Sequence, residues 1–490
     1  MKNNTTVKPV IAILIFALFL AFVFDLSTGT NVSFLFLVIC SASFLLLVKK
    51  EIITEPVFLF LSAGSFLKAY YVFYTPVWCR QHDVVDFGTK KGQAAYMEYI
   101  LSHKALPDFD PRSVWGFFQP PLHHALCAVW MWINIRLKIS EDRIHKNVQI
   151  LPLVYMCLLV FFVYLICKEL NMKKSGTAAS MLLVSFHPIF IIMSGSINND
   201  ALSVMLSVVA IYVAILWYRN PSVAFCALLA AVIGLAMASK LSAALIAPPI
   251  GVMMIVKIVS DTDRLREKKK NVSWLLRLLL FSVIAAPLGL WWQIRNLILF
   301  SMPPFYIPEV GEPIEKTGFI SRILDVRTAS PFLYMKSNGF EYDEYNLILT
   351  CIKTALFGEG DYANVSPILT FAGWLLFVTA VAAAAAAVAS LVYICAVKEA
   401  GPDKGIKLML LLLVISLMGG YTIFALKNLH LSAGDLRYSA PLVAVASVFA
   451  GLCHDRLTTV KKKLTANALM TVCALFAASS VLFYILVGIL

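Results

Sequence analysis

Short polar groups interrupt this chain at the edges of long apolar runs, and their residue types define what chemistry it could do. The first is Gln81-His82-Asp83, with Asp86 close behind, at the outer end of an apolar run. A carboxylate there, with an unperturbed pKa of about 3.9, stays ionised unless desolvation dominates and could take a proton from a hydroxyl nucleophile. From composition alone, the simpler reading is a solvated loop acid beside a helix end. Next comes Gln119-Pro120-Pro121-Leu122-His123-His124, where two prolines fix the backbone before a helix start. Two histidines then leave the first turn, placed to hold a polar headgroup or simply to wet an interfacial helix. Asn198-Asn199-Asp200 follows, able to orient a hydroxyl, to support the first loop or to cap the next helix. Lys240, Arg295 and Arg437 with Tyr438 are cations at three further boundaries. A mid-bilayer Lys costs about 2.5–3.5 kcal/mol, so Lys240 belongs at an outer boundary, snorkelling, or in a cavity. Convergence of the three would make a phosphate pocket, since Arg offers phosphate a planar fork of donors.

The elements that must position these groups follow from composition. The chain has 490 residues, 60% hydrophobic and 14% charged, with a mean hydropathy of +0.82. These values exclude an ordinary soluble domain and indicate an all-α polytopic membrane protein. The net charge of +13 reads as loop bias in such a protein, and no nucleic-acid partner is expected. Ten cysteines lie mostly inside apolar runs without paired ligand spacing, so they read as small core residues, with no disulfide framework and no zinc site. Runs long enough to span predict about thirteen transmembrane helices, near 8–26, 33–48, 56–77, 148–167, 177–196, 201–218, 222–238, 241–258, 274–293, 367–397, 406–425, 438–453 and 466–489.

Basic clusters at 49–50, 168–174, 264–270, 398–407 and 456–463 place those loops in the cytoplasm, with the N-terminus inside. The loops 79–147 and 294–366 then share the non-cytoplasmic face with the short turns near Asp200 and Arg437. The apolar run 121–139 must not cross, or every later assignment inverts. It is predicted to lie along the outer membrane surface or to re-enter it, as an interfacial helix with Trp115, Trp130 and Trp132 at headgroup level. The organisation expected is an N-terminal hairpin (1–55), a catalytic core (56–293) containing the first outer loop, a second outer loop (294–366) and C-terminal helices (367–490).

Gln81-His82-Asp83, Gln119 to His124, Asn198 to Leu202, Lys240, Trp292 to Asn296 and Arg437 to Pro441, taken in order over roughly 60–450, resemble the GT-C glycosyltransferases. That superfamily includes protein O-mannosyltransferases and bacterial aminoarabinose transferases of lipid A. The resemblance implies the GT-C fold, with interfacial helices in the first outer loop. It also implies a polyprenyl-phosphate-linked sugar as donor, a lipid, glycan or protein hydroxyl as acceptor, and transfer at the non-cytoplasmic face of a bacterial plasma membrane. The proposed base of that family maps to Asp83, with Asp86 as the alternative because relatives carry Asp-Glu where this chain has His82-Asp83 followed by Asp86. The acid of the second short outer loop maps to Asp200, in support of binding. His82, Asp86, His123, His124, Asn199, Asp200, Lys240, Arg295, Arg437 and Tyr438 are the expected substrate-binding residues. The hairpin 8–48 precedes the matching part. No cofactor and no metal ligand is expected, and a divalent ion is left open.

Because a polyprenyl phosphate is already a good leaving group, one base and phosphate-binding cations suffice, and a single displacement inverts the anomeric centre. Two other classes compete. A transporter or flippase for a lipid-linked sugar places ionisable groups at mid-membrane in repeated halves, yet this chain has few such charges and no evident repeat. A polymerase or ligase of lipid-linked oligosaccharides would depend on an outer-loop Arg and His rather than on Asp83. The loop 294–366, with acids such as Glu309, Glu312 and Glu315 among tyrosines, suits a carbohydrate-facing lid and equally a solvated loop.

Overall fold

The computed structural model describes residues 56–77, 84–262, 268–308, 318–326, 328–333, 345–360, 362, 365–397, 401–428 and 431–490. Within them the chain is helical, with no β-strand. The helices are α1 (Pro56–Tyr74), α2 (Gly92–His103), α3 (Leu122–Arg136), α4 (Glu141–Asn147), α5 (Ile150–Glu169), α6 (Lys174–Ser185), α7 (Pro188–Ser194) and α8 (Asp200–Arg219). They continue with α9 (Val223–Ser239), α10 (Ala247–Thr262), α11 (Lys268–Phe300), α12 (Leu347–Phe357), α13 (Pro367–Ala396), α14 (Lys404–Lys427), α15 (Pro441–Thr459) and α16 (Lys463–Ile489).

Proline and short polar caps set many of the starts. Pro367 and Pro441 open α13 and α15 at a position where a missing N–H costs nothing. Asn346 caps α12 by accepting from the amides of Ile348 and Leu349, both at 3.0 Å. Pro188 forces His187 into an extended conformation and so separates α6 from α7 by a 51° bend.

Eight helices, counting α4 with α5 as one, are long and apolar enough to cross a membrane, or nine if the bent α6–α7 pair forms one span. The thirteen spans read from hydropathy are therefore not all matched among the described residues. Runs 8–26 and 33–48 lie outside them, as does nearly all of the hairpin 1–55. Helix α9 has only 17 residues, and α15 carries His454, Asp455 and Arg456 near its end. Among the described cysteines, six are buried and two half-buried, all unpaired.

Helix α3 occupies most of the apolar run 121–139. Helix α3 has 15 residues, a rise of about 22 Å, which is short of a hydrocarbon core of about 30 Å. Leu126, Val129, Trp132 and Ile135 form an exposed apolar stripe along it. The Trp130 indole N–H donates inward to the Asn147 carbonyl at 2.8 Å. Trp115 is half-buried, leaving Trp132 as the exposed indole of the three.

The bundle has two chemically different ends. At one, Arg219 at the close of α8 pairs with Glu169 at the close of α5 (3.1 Å). The Lys173 amide donates to Asp455 of α15 (2.6 Å), and Lys257 lies over the Tyr218 ring. Segments 168–174 and 456–463 thus meet at this basic end. The other end gathers the start of α8, the close of α9, the close of α12 and the turn before α15. The first long loop is tied there: Arg112 donates to the Phe300 carbonyl (2.7 Å) and the Trp292 indole to the Phe118 carbonyl (3.1 Å). Arg322 of the second loop donates to the Ala425 carbonyl at the close of α14 (3.0 Å). Lys353, fully buried on α12, binds the segment 328–332 through Thr328, Ser330 and Phe332.

Candidate functional site

At that second end a cluster of charges is built from sequence-distant turns. Asp200 is the first residue of α8, and its amide donates to Asn198 Oδ1 at 3.2 Å. Its carboxylate caps nothing. Helix α9 closes at Ser239, after which Lys240 runs extended into a 3-10 stretch, Leu241–Ile246. The residues just before Asp200 and Lys240 are clamped together. Asn199 Nδ2 donates to the Ser239 carbonyl (2.8 Å), and Ser239 Oγ donates to the Asn199 carbonyl (3.0 Å). This clamp brings Lys240 Nζ to 2.5 Å from Asp200 Oδ1.

Arg437 arrives from the turn Leu436–Ser439, which Asp435 caps by accepting the Arg437 amide at 2.8 Å. Its Nε lies 3.8 Å from Asp200 Oδ2 and 3.4 Å from Asp435 Oδ2, and its fork is 3.7 Å from Glu359 Oε1. The Tyr438 ring sits under both cations, 4.5 Å from Lys240 Nζ and 5.1 Å from the Arg437 guanidinium carbon. Glu359 reaches the cluster because Gly358 closes α12 at φ +59°, ψ −136°, a conformation hostile to any residue with a Cβ.

Three carboxylates therefore face two cations in a nearly water-free place, Asp200 being 1% exposed. Burial pushes the Asp435 carboxyl up to about 6, with Glu359 and Asp200 adding to the rise and Arg437 opposing it. Beside them Ser196, Asn198, Thr354, Glu359, Asp435 and Arg437 line a cavity of about 20 Å³, room for about one water. A larger apolar groove of about 440 Å³ runs between α2, α3, α9 and α11, lined by Ile100, Leu106, Leu122, Leu235, Ala238 and Trp291 among others. Ala238, on its wall, is two residues from Lys240.

Of the residues singled out in the sequence, Asn199, Asp200, Lys240, Arg437 and Tyr438 come together. Arg295 does not join them. It donates to the Pro107 carbonyl and to Asn296 Oδ1 and lies over Trp292 and Phe300, so its charge pins the first loop to α11 instead of completing a three-cation pocket. His123 and His124 are both fully buried. His123 Nε2 meets the Ile197 carbonyl at 2.8 Å and His124 bonds Gln93. The headgroup contact expected of the pair is replaced by bracing, because the first turn of α3 packs inward. Burial lowers the His123 pKa to about 4 and keeps it neutral. Asp86 is exposed and accepts the amide of Phe87 at 2.8 Å. His82 and Asp83 lie outside the described residues.

Glu359, Asp435 and Ser239 complete the cluster without having been chosen from the sequence. Asp435, two residues before Arg437, carried a readable capping signal. Glu359 is placed by the close of α12, which no local pattern reveals. Among the described residues, no group of three or more His, Cys, Asp or Glu side chains could hold a metal ion.

Residues 123–291, from α3 into α11, match the family model described as dolichyl-phosphate-mannose-protein mannosyltransferase. This is one of the groups that the polar motifs resemble. No protein of curated function matches the chain. Among solved structures, it is similar to the Archaeoglobus fulgidus oligosaccharyltransferase in complex with Zn and sulfate (16% identity, TM-score 0.49, covering 86% of this chain and 53% of that one). It is also similar to AglB of the same organism in complex with an inhibitory peptide and a dolichol-phosphate (14%, 0.49, 88% and 56%). A third is ArnT from Cupriavidus metallidurans bound to undecaprenyl phosphate (13%, 0.48, 87% and 75%). The chain spans about half the length of the oligosaccharyltransferases.

Proposed function

We propose that this chain is a membrane glycosyltransferase that moves a sugar from a polyprenyl-phosphate donor to an acceptor hydroxyl. The observation that carries this reading is the apolar groove reaching to within two residues of Lys240, which with Arg437 forms a buried cationic pair. A hydrocarbon tail beside a phosphate headgroup is the ligand such an arrangement suits. The family model matched by 123–291 takes its name from a dolichyl-phosphate sugar, in agreement with that chemistry.

In the reaction proposed, Asp83 takes the proton of the acceptor hydroxyl as its oxygen attacks the anomeric carbon. The bond from that carbon to the phosphate oxygen breaks, and the electron pair leaves on the phosphate. Lys240 and Arg437 stabilise that charge as it forms. One displacement inverts the anomeric centre. Asp200 holds both cations in place before the phosphate arrives. In support of Asp83, its neighbour Val84 packs in the same small core as Ile197, three residues ahead of Asp200. The site end lies opposite the basic end, and the excess of Lys and Arg on cytoplasmic loops supports a reaction at the non-cytoplasmic face.

Mass spectrometry of lipids retained by the unaltered protein and by Asp83→Asn tests the reading. A polyprenyl-phosphate sugar enriched on Asp83→Asn is expected, because binding persists while turnover stops. Absence of any such lipid from both proteins contradicts it.

A further inference from the structure

Helix α7 closes at Ser194 and α8 opens at Asp200, and the link between them is held by side chains of three other elements. Gln149, between α4 and α5, donates through Nε2 to the Gly195 carbonyl at 2.8 Å. His123 of α3 donates through Nε2 to the Ile197 carbonyl at 2.8 Å. Ser239, the last residue of α9, donates through Oγ to the Asn199 carbonyl at 3.0 Å, which also accepts the Ser203 amide at 3.4 Å as α8 begins. Every second carbonyl of the link is therefore taken by a different side chain, and all three donors are fully buried. Gln149 extends the brace to the residue just past α1, where the Thr75 carbonyl accepts from the same Nε2 at 3.2 Å.

The residues in between serve the charged cluster. Ser196 and Asn198 line the small cavity that Glu359, Asp435 and Arg437 share. Asn198 Oδ1 accepts the Asp200 amide, and the Asp200 carboxylate lies 2.5 Å from Lys240 Nζ and 3.8 Å from Arg437 Nε. A helix continued from α7 into α8 would satisfy the Gly195 and Ile197 carbonyls within its own backbone. The break leaves them instead to a buried amide and a buried imidazole, groups that are costly to bury unless bonded. The arrangement gains aim, because each carbonyl is fixed from outside the link and Asp200 follows directly from it. Constellations of this kind work only when held to within about 0.5 Å by the side chains behind them.

We propose that Gln149, His123 and Ser239 are positioning residues: through the carbonyls of Gly195, Ile197 and Asn199 they hold Asp200 in place, and Asp200 holds Lys240 and Arg437 for an incoming phosphate. This rests on the glycosyltransferase reading above. None of the three touches the donor, and each acts through the link it bonds.

The test titrates each purified variant with dolichyl phosphate, read by native mass spectrometry, beside its melting temperature. His123→Leu removes the donor to Ile197, whereas His123→Gln offers an amide N–H at similar reach. His123→Leu and Gln149→Met are each expected to weaken dolichyl phosphate by about tenfold, and His123→Gln to stay within about twofold of the unaltered protein. Ser239→Ala removes one hydroxyl from a small side chain and is expected to weaken binding by about threefold, so its result stands even if a larger substitution fails to fold. Unchanged affinity in the folded variants, equal loss in His123→Leu and His123→Gln, or a loss that only follows the unfolded fraction overturns the positioning role. Failure of the unaltered protein to bind dolichyl phosphate instead removes the glycosyltransferase reading on which it rests.

Discussion

The two ends of the bundle use the same ionic groups in opposite settings. At the basic end Arg219 and Glu169 meet at 3.1 Å with 34% and 29% of their side-chain surfaces exposed. At the other, Lys240 and Asp200 meet at 2.5 Å with 11% and 2% exposed. Water screens the first pair, which contributes little to stability, whereas the second has given up its hydration and depends on its partner. Buried charge of this kind is a weak source of stability and a strong source of readiness. Its cations are held where a phosphate could take over from the carboxylate. The Arg219–Glu169 pair at the basic end stays in contact with water.

Breaking one member of each pair separates these roles most sharply. Lys240→Met leaves Asp200 buried beside Arg437 alone and is expected to cost about 3–5 kcal/mol, read as a lower melting temperature in detergent. Adding Asp200→Asn should restore much of that stability without restoring donor binding. Recovery of both would mean that the pair is structural only.

Gly358→Ala attacks the same end through the backbone. At φ +59°, ψ −136°, a Cβ introduces strain of about 1–3 kcal/mol. Glu359 is then expected to shift away from Arg437, lowering activity more than the loss of folded protein explains. Activity that merely follows the folded fraction would show that Glu359 needs no fixed aim.

A pH titration sharpens the comparison further, because Asp435 is held up to about 6 by burial. A carboxyl raised in the folded state favours folding fully below its unfolded pKa, near 3.8, and that contribution is lost as pH rises through about 6. The melting temperature of the unaltered protein should therefore fall between pH 4 and 6 relative to that of Asp435→Asn. Parallel curves would contradict the raised value. Smallest of all is the effect expected at the basic end. Glu169→Gln should change stability by no more than about 0.5 kcal/mol, and less at high salt.

Much of the membrane architecture was legible as runs of apolar residues, because the bilayer imposes a length that the sequence must meet. Asp200, Lys240 and Arg437 were legible too, since a charge at the edge of such a run is costly and stands out. What escaped the reading depended on directions and partners. The histidine pair was expected outward, yet the first turn of α3 faces Ile197 and Gln93. Arg295 sits at the same kind of boundary as Arg437 and is taken up by Pro107. Spacing along one helix says nothing of which carbonyl a loop will bring. Glu359 required the glycine turn after α12, and the Asn199–Ser239 clamp required two helix ends to meet.

The claim that the buried cluster receives the donor phosphate is tested most directly by dolichyl phosphate binding to unaltered protein, Arg437→Gln and Lys173→Gln, measured side by side in one membrane mimetic. Loss of binding in Arg437→Gln, with Lys173→Gln unchanged, is the predicted result. Binding that survives in Arg437→Gln and falls in Lys173→Gln would place the phosphate at the basic end and contradict the account.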